Sequence, residues 1–125
     1  MNDDNLIMFV DDDPYISDLY ASVFSRANLN YLVAHTGKEA RSILTSRKPR
    51  LLLLDIMLPD TSGLDLLKEV KSNPQTSAVV VWMLSNLGDV STQEKSRQLG
   101  AAEYIIKAQL TPNQVVDRIK AYLNI

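Results

Sequence analysis

Four consecutive leucines at positions 51–54, followed directly by Asp55, constrain the fold of this chain more than any other sequence feature. A strand without polar alternation must be buried on both faces, as in a parallel sheet covered by helices. Four further short, largely apolar runs are candidate strands, at residues 6–10, 30–34, 78–84 and 104–106. Helical patterns separate the five runs, so the sequence predicts a doubly wound α/β fold around a five-stranded parallel sheet.

Capping signals place the helices between these strands. Asp13 and Pro14 supply an N-cap and a first-turn proline, and Thr111 begins the last helix in the same way. Thr36 and Glu39 have the spacing of a capping box. The fourth helix, residues 89–99, has no large apolar residue between its ends, so we expect it to pack thinly. The residues expected on the buried faces of the other helices are Ile16, Leu19, Tyr20, Val23, Phe24, Ala40, Ile43, Leu44, Leu64, Leu67, Val70, Val115 or Val116, Ile119, Tyr122 and Leu123.

Composition excludes several classes of protein. The chain has 125 residues, 46% of them hydrophobic and 22% charged, and a net charge of −2, which is typical of one globular domain over residues 1–125. The absence of cysteine rules out disulfides and thiolate metal sites. The chain has no basic run of the kind that indicates nucleic-acid binding. Its longest apolar stretch, residues 51–58, is too short to cross a bilayer. The polar first five residues do not resemble a signal peptide, so we expect a cytoplasmic location.

Acidic, hydroxyl and amine side chains follow the predicted strands. They are Asp11, Asp12 and Asp13 after the first strand, Asp55 after the third, Ser85 after the fourth and Lys107 after the fifth. Ligands of such sheets bind at the carboxyl ends of the strands. Clustered carboxylates repel one another unless a hard cation such as Mg²⁺ neutralises them, and an ionised aspartate can attack phosphorus. The strand ends therefore predict a site for phosphoryl transfer, in which Asp13 acts only as a helix cap.

The motifs at these strand ends resemble those of bacterial response-regulator receiver domains. They are Val10-Asp11-Asp12-Asp13-Pro14, Leu54-Asp55-Ile56-Met57-Leu58-Pro59 with Gly63, Ser85 at the end of the fourth strand, and Tyr104-Ile105-Ile106-Lys107. The resemblance extends over about residues 6–123. It implies a flavodoxin-like or CheY-like (βα)5 three-layer sandwich with the strand order 2-1-3-4-5.

The resemblance also implies roles for the residues that bind phosphate and metal. Asp55 would accept the phosphoryl group, and Lys107 would pair with the phosphoryl or carboxylate oxygens. Asp12 would bind Mg²⁺ directly and Asp11 through water. Asp55 and the backbone carbonyl of Met57 would complete the protein ligands of the metal.

A switch and a set of partners are implied in the same way. Ser85 would move toward the phosphoryl group, and Tyr104 would rotate inward to fill the space it leaves. The phosphodonor would be a sensor histidine kinase or a phosphotransfer protein, and a downstream protein would bind helix four, strand five and helix five. Such a chain catalyses only its own phosphorylation and dephosphorylation, does not bind nucleic acid directly or enter a membrane, and is a monomer or a weak phosphorylation-dependent dimer.

Two positions depart from the pattern of the receiver family. Asn86 follows Ser85 where the family usually has a small residue, and Ala108 follows Lys107 where proline is usual. Asn86 either narrows access to Asp55 or hydrogen-bonds the phosphoryl group, and the sequence leaves both open. Because a cis bond before a residue other than proline costs about 2.5–4 kcal/mol, we expect the Lys107–Ala108 bond to be trans.

Three other functions fit the sequence less well. A flavodoxin-like electron carrier needs a loop after strand one that binds the flavin phosphate, and three aspartates there would repel it. A phosphatase of the haloacid-dehalogenase type needs a second acid two residues after the nucleophile, where this chain has Met57. The main alternative is a pseudo-receiver that acts as an interaction module without phosphorylation. The full set of acids, together with Ser85 and Lys107, argues against it.

Overall fold

The computed structural model describes residues 5–125, in which five strands and five helices alternate. The strands are β1 (Ile7–Val10), β2 (Tyr31–Ala34), β3 (Leu51–Leu54), β4 (Val80–Ser85) and β5 (Glu103–Ile106). The helices are α1 (Pro14–Arg26), α2 (Gly37–Leu44), α3 (Gly63–Ser72), α4 (Val90–Gln98) and α5 (Pro112–Leu123), with a 3₁₀ turn at Lys107–Gln109. Within the described part of the chain, no helix has the length and apolarity to span a bilayer. Residues 1–4 of the polar N-terminal segment lie outside the described residues.

The sheet has the strand order β2-β1-β3-β4-β5, and each neighbouring pair is parallel. This confirms the doubly wound α/β fold. The register places Val10 beside Leu54, and Leu54 beside Met83. Ser85 pairs with Ile106 at the end of β5. Because these ends are level, the residues that follow the strands meet at one edge of the sheet.

Strand residues alternate between two cores, one on each face of the sheet. On one face, Phe9 and Leu53 pack with residues of α1 and α5, including Phe24 and Ile119. On the other face, Leu52 and its neighbours pack with α2 and α3. All four leucines of β3 have no exposed surface. Burial on both faces explains why β3 tolerates no polar alternation.

Helix α4 is anchored weakly, as the sequence predicts. Ser96 is its buried residue, and no large apolar side chain of α4 enters either core. The helix begins at the N-cap Asp89, whose carboxylate accepts a hydrogen bond from the N–H of Thr92 at 3.0 Å. It is followed by Gly100 in the left-handed region, with φ of 109°. The N-cap Asp89, the small Ser96 and the half-buried C-cap Leu99, which packs against the second core, thus hold α4.

Some expected helix faces differ in the structure. Leu19 is 37% exposed, because the helical rotation of about 100° per residue puts it at the edge of the buried face of α1, on the side away from Ser17. Ser17 is buried instead. On α3, Leu66 is buried beside Leu67. The residues that are half-buried rather than buried are Ile16, Ile43, Leu64 and Tyr122.

Local hydrogen bonds also correct two details. Thr36 Oγ1 accepts from the N–H of Glu39 at 3.0 Å, but Glu39 Oε2 accepts from the N–H of His35 at 2.8 Å, not from that of Thr36. The Glu39 side chain therefore bonds to the residue before Thr36, and not to Thr36 itself as a capping box requires. Strands β2 and β4 begin at Tyr31 and Val80, later than the apolar runs suggest, because ladder pairing begins there.

Candidate functional site

The loop after β1 places three aspartates in different environments. Asp11 is 1% exposed, whereas Asp12 and Asp13 face solvent. Asp13 Oδ1 accepts hydrogen bonds from the backbone N–H groups of Tyr15 at 2.9 Å and Ile16 at 3.4 Å. Asp13 is therefore the N-cap of α1, as predicted, and Asp11 and Asp12 remain as the acids available to the site.

Several hydrogen bonds fix the position of Asp11. Its carbonyl accepts from Ser17 Oγ at 3.0 Å, and His35 Nδ1 lies 3.2 Å from the same oxygen. Its N–H donates to the carbonyl of Ala34 at 3.0 Å. Its Oδ1 accepts from the N–H of Asp13 at 2.9 Å. Contacts from α1, β2 and the β1 loop thus orient this buried carboxylate.

Lys107 joins Asp11 to Asp55. Its ammonium lies 2.5 Å from Asp11 Oδ2 and 2.9 Å from Asp55 Oδ2, and its side chain is 12% exposed. Burial by itself would lower the pKa of Lys107, but hydrogen bonds to Asp11 and Asp55 outweigh burial and raise the pKa above its ordinary value. The lysine is thus held as a cation between two acids. The Lys107–Ala108 bond is trans, which confirms the expectation.

The carboxylates of Asp11, Asp12 and Asp55 form a cluster with oxygens within 4.8 Å of one another. Burial raises the pKa of Asp11, and this effect exceeds the opposing contact with Lys107. The ammonium of Lys107 pairs with two of the three acids, Asp11 and Asp55, so the cluster carries an excess of negative charge. An all-oxygen donor set of this kind suits a hard cation such as Mg²⁺. The residues therefore fit the expected metal.

The cluster opens into a cavity of about 340 Å³. Met57, Ser85 and Asn86 line the cavity together with the acids and Lys107. The N–H of Met57 donates to Asp55 Oδ1 at 3.3 Å, so the start of the loop after β3 contacts the Asp55 carboxylate. The sequence-predicted residues thus lie around one cavity, with the exception of Tyr104, which lies on β5 and does not line it.

Ser85 and Tyr104 are both bonded to the backbone of Leu87. Ser85 is 2% exposed, and its Oγ accepts from the N–H of Leu87 at 3.2 Å. The hydroxyl of Tyr104 donates to the carbonyl of Leu87. Burial raises the pKa of Tyr104, although the Ser85 hydroxyl opposes this. The loop between β4 and α4 is therefore held by a residue of β4 and a residue of β5.

The loop after β3 is closed by Gly63. Its N–H donates to the carbonyl of Ile56 at 2.6 Å, and Met57 forms an antiparallel bridge with Ser62. A Cβ atom at Gly63 would lie 1.9 Å from the carbonyl oxygen of Asp55. Only glycine fits this position, because the chain passes directly over the backbone of the central acid.

The tip of the same loop is attached to α2. Asp60 accepts hydrogen bonds from the backbone N–H groups of Gly37 at 2.8 Å and Lys38 at 2.9 Å. These two donors hold the pKa of Asp60 below its ordinary value. Arg41 of α2 contacts Glu69 of α3 through Nε at 2.7 Å and Nη2 at 3.1 Å. The loop that adjoins Asp55 is thus docked on a neighbouring helix.

The fold and the acidic cluster agree with a family match. The sequence matches the response regulator receiver domain over residues 7–120. The chain belongs to the response-regulator receiver family. It is a receiver domain of the type found in two-component response regulators, and its cluster of Asp11, Asp12 and Asp55 is consistent with a phosphoacceptor site.

Relatives and solved structures agree with this assignment. The phosphate regulon transcriptional regulatory protein PhoB of Pseudomonas aeruginosa is 34% identical over 117 residues, which cover 94% of this chain and 51% of that protein. This receiver domain spans about half the length of the curated relatives it matches. A CheY-like receiver domain from Methanospirillum hungatei JF-1 superposes with a TM-score of 0.87 at 26% identity, covering 96% of this chain and 94% of that chain. The BeF3-activated receiver domain of Klebsiella pneumoniae RstA superposes with a TM-score of 0.84 at 30% identity, covering 97% of this chain and 100% of that chain.

Sequence reasoning missed three residues that organise the site of this receiver domain. Ser17 and His35 contact the carbonyl of Asp11, and Asp60 docks the loop after β3. Ser17 could have been noticed as a small polar residue beside the apolar stripe of α1. His35 and Asp60 carry no such local sign, because their partners are distant in sequence.

Proposed function

We propose that Asp55 is the phosphoacceptor of this receiver domain. The observation that carries the proposal is the position of its carboxylate at the end of the buried β3. There it lies 2.9 Å from Lys107 and within 4.8 Å of the acids of Asp11 and Asp12, at a cavity open to a donor. An acid in this position can be approached by a phosphoryl donor while the neighbouring Lys107 balances part of its charge.

The transfer reaction follows from this geometry. A carboxylate oxygen of Asp55 attacks phosphorus, a new P–O bond forms, and the bond between phosphorus and the donor atom breaks with its electron pair. When the donor is a phosphohistidine, the leaving imidazole takes a proton from solvent. Lys107 supplies a positive charge beside the attacking carboxylate, and the charge it neutralises passes to the phosphoryl oxygens.

Mg²⁺ is the cofactor we propose for this site, with Asp12, Asp55 and the Met57 carbonyl as ligands and Asp11 acting through water. When bound, the ion neutralises charge on the carboxylates and on the phosphoryl oxygens. Asp11 is held rigidly by its backbone and by Lys107, which suits an indirect ligand. Asp12 is exposed and has no side-chain hydrogen bond to another described residue, so its carboxylate is available as a direct ligand.

The response to phosphorylation is proposed to pass through Ser85 and Tyr104. Both side chains are bonded to Leu87, so movement of the Ser85 hydroxyl toward a phosphoryl oxygen would release one of the two bonds that hold this loop. The loop leads into α4, which is the weakly anchored helix and is therefore able to shift. The surface formed by α4, β5 and α5 is the proposed site for a downstream protein.

The remaining features of the proposal concern partners and location. The phosphodonor is a sensor histidine kinase or a phosphotransfer protein in the cytoplasm. The receiver domain acts as a phosphorylated signalling module, not as an enzyme on other substrates. It is a monomer or a weak phosphorylation-dependent dimer, with no direct contact to nucleic acid and no membrane insertion. We propose these properties for a single receiver domain over residues 1–125.

Phosphoryl incorporation tests the proposal. The protein is incubated with acetyl phosphate and Mg²⁺, and its intact mass is measured with time. We expect one added phosphoryl group in the wild type and in Asp65→Asn, an exposed acid of α3 that serves as the control, and none in Asp55→Asn. Incorporation that persists in Asp55→Asn would show that another residue is the acceptor. No incorporation in the wild type would indicate a pseudo-receiver.

A further inference from the structure

The cavity at Asp55 contains few side-chain donors for a phosphoryl group. Its lining residues include four aspartates and three apolar side chains, none of which donates a hydrogen bond when the acids are ionised. The side-chain donors in the lining are the ammonium of Lys107, the hydroxyl of Ser85 and the amide of Asn86. A phosphoryl group has three terminal oxygens and about −1.5 to −2 charges, so each donor has a potential acceptor.

These three donors differ in what they already bind. Lys107 is occupied by Asp11 and Asp55. Ser85 is buried, and its oxygen accepts from the N–H of Leu87. Asn86 is exposed, and among residues 5–125 its side-chain amide has no hydrogen-bond partner. Its two N–H donors can therefore turn toward an anion in the cavity without breaking an existing bond.

We propose that the side-chain amide of Asn86 donates a hydrogen bond to an oxygen of the phosphoryl group on Asp55. The inference rests on Asp55 being the phosphoacceptor. Asn86 lies on the loop that follows β4, whereas Asp11 and Asp12 follow β1, and these two strands flank β3 and its Asp55 on opposite sides. As a neutral donor it adds to the stabilisation of the phosphoryl oxygens without repelling Mg²⁺.

The size of Asn86 offers a competing explanation with the opposite sign. If the side chain only narrows the entrance to Asp55, its removal will admit small donors more readily, and phosphorylation will be faster. If the amide binds the phosphoryl group, its removal will slow phosphorylation, because the oxygens of the transferring phosphoryl group lose one hydrogen-bond donor. Since Asn86 is exposed and water competes for the same oxygen, we expect about a tenfold effect, below the 100-fold or more seen for enclosed donors.

The test compares rates of phosphorylation by acetyl phosphate in saturating Mg²⁺ for the wild type, Asn86→Ala, Asn86→Asp and Asn113→Ala. Asn113 is an exposed asparagine on α5 outside the cavity, and its variant controls for loss of a surface amide. Asn86→Asp retains the size of the side chain but replaces the donor with a negative charge. Melting temperatures confirm that each variant is folded.

We expect Asn86→Ala to be about tenfold slower than the wild type, Asn86→Asp slower still, and Asn113→Ala unchanged. A faster Asn86→Ala, with Asn86→Asp close to the wild type, would show that the residue acts by size alone and would overturn the inference. Equal rates in all four proteins would also overturn it. In both cases phosphorylation of the wild type would leave the proposed function of Asp55 intact. If the wild type takes up no phosphoryl group, both proposals fail together.

Discussion

Replacing Asp12 by asparagine should change the stability of this receiver domain in opposite directions without and with Mg²⁺. Without metal, the carboxylates of Asp11, Asp12 and Asp55 lie within 4.8 Å of one another, and the ammonium of Lys107 pairs with Asp11 and Asp55. Asparagine retains the shape of the side chain and removes one negative charge. The metal-free variant should therefore be more stable than the wild type.

The size of this effect follows from the distances. Two like charges about 5 Å apart repel by about 3 kcal/mol at an effective dielectric constant of 20, and by under about 1 kcal/mol in water. Asp12 is exposed and Lys107 offsets part of the repulsion, so we expect a net gain of about 1 kcal/mol. For a domain of this size, that raises the melting temperature by about 4 °C.

Magnesium should reverse the order. A ligand that binds only the folded state stabilises it by about 2.7 kcal/mol at a hundredfold excess over Kd. The wild type gains this amount, whereas the variant has lost a charged ligand and gains less. Thermal unfolding followed by circular dichroism in EDTA and in increasing Mg²⁺ measures both limits. Asp13→Asn is the matched control, because Asp13 is a neighbouring exposed acid that caps α1 instead of joining the cluster.

Two results would refute this reasoning. If Asp12→Asn is less stable than the wild type in EDTA, the three acids do not repel one another in the folded protein. If the variant and the wild type gain equally from Mg²⁺, Asp12 does not bind the ion.

Three further predictions concern the surroundings of the site. Gly63→Ala should destabilise the domain by about 3 kcal/mol in urea denaturation, because the new Cβ would lie 1.9 Å from a backbone oxygen. Gly88→Ala is the control and should cost little, because its Cβ meets only the end of a side chain at 3.2 Å. Equal losses of stability in the two variants would contradict the close approach at Gly63. Hydrogen bonds from neighbouring hydroxyls and an N–H lower the pKa of Asp89 to about 2 from 3.8, so its cap on α4 should contribute at pH above about 4 and be lost as the pH falls toward 2. Carboxyl titration and amide exchange of α4 by NMR measure this, and an ordinary pKa would disprove it. Asp60→Ala should lower the melting temperature and speed amide exchange at the start of α2. Asp65→Ala, which removes an exposed acid in the first turn of α3, is the control and should leave amide exchange in α2 unchanged. Unchanged exchange in both variants would show that the loop is not docked on α2.

The convergence of the site residues could be predicted from sequence because it depends only on parallel strands. An uninterrupted apolar run must be buried on both faces, and parallel strands present their carboxyl ends at one edge. Asp11, Asp55 and Lys107 follow three such runs, so their proximity in the structure required no knowledge of side-chain packing. The resemblance to receiver domains then implied which acid accepts the phosphoryl group.

Helix faces were predicted less accurately. The spacing of Leu19 with Tyr20 and Val23 suggests one broad apolar stripe, but the sheet covers only part of that stripe. Ser17 is buried in place of Leu19, because the loop after β1 lies against that side of α1 and presents the carbonyl of Asp11. Periodicity gives the direction of a face but not the width of the surface that covers it.

The sequence by itself determined the α/β class, the five strands and the set of residues at their ends, because burial of apolar runs and capping of helices are local requirements. Only the tertiary structure decided how those residues are joined. Lys107 bridges acids 96 and 52 residues away, and Asp60 caps a helix that begins 23 residues before it. Such bonds depend on strand register and loop path, which arise when the whole sheet forms and have no counterpart in the order of neighbouring residues.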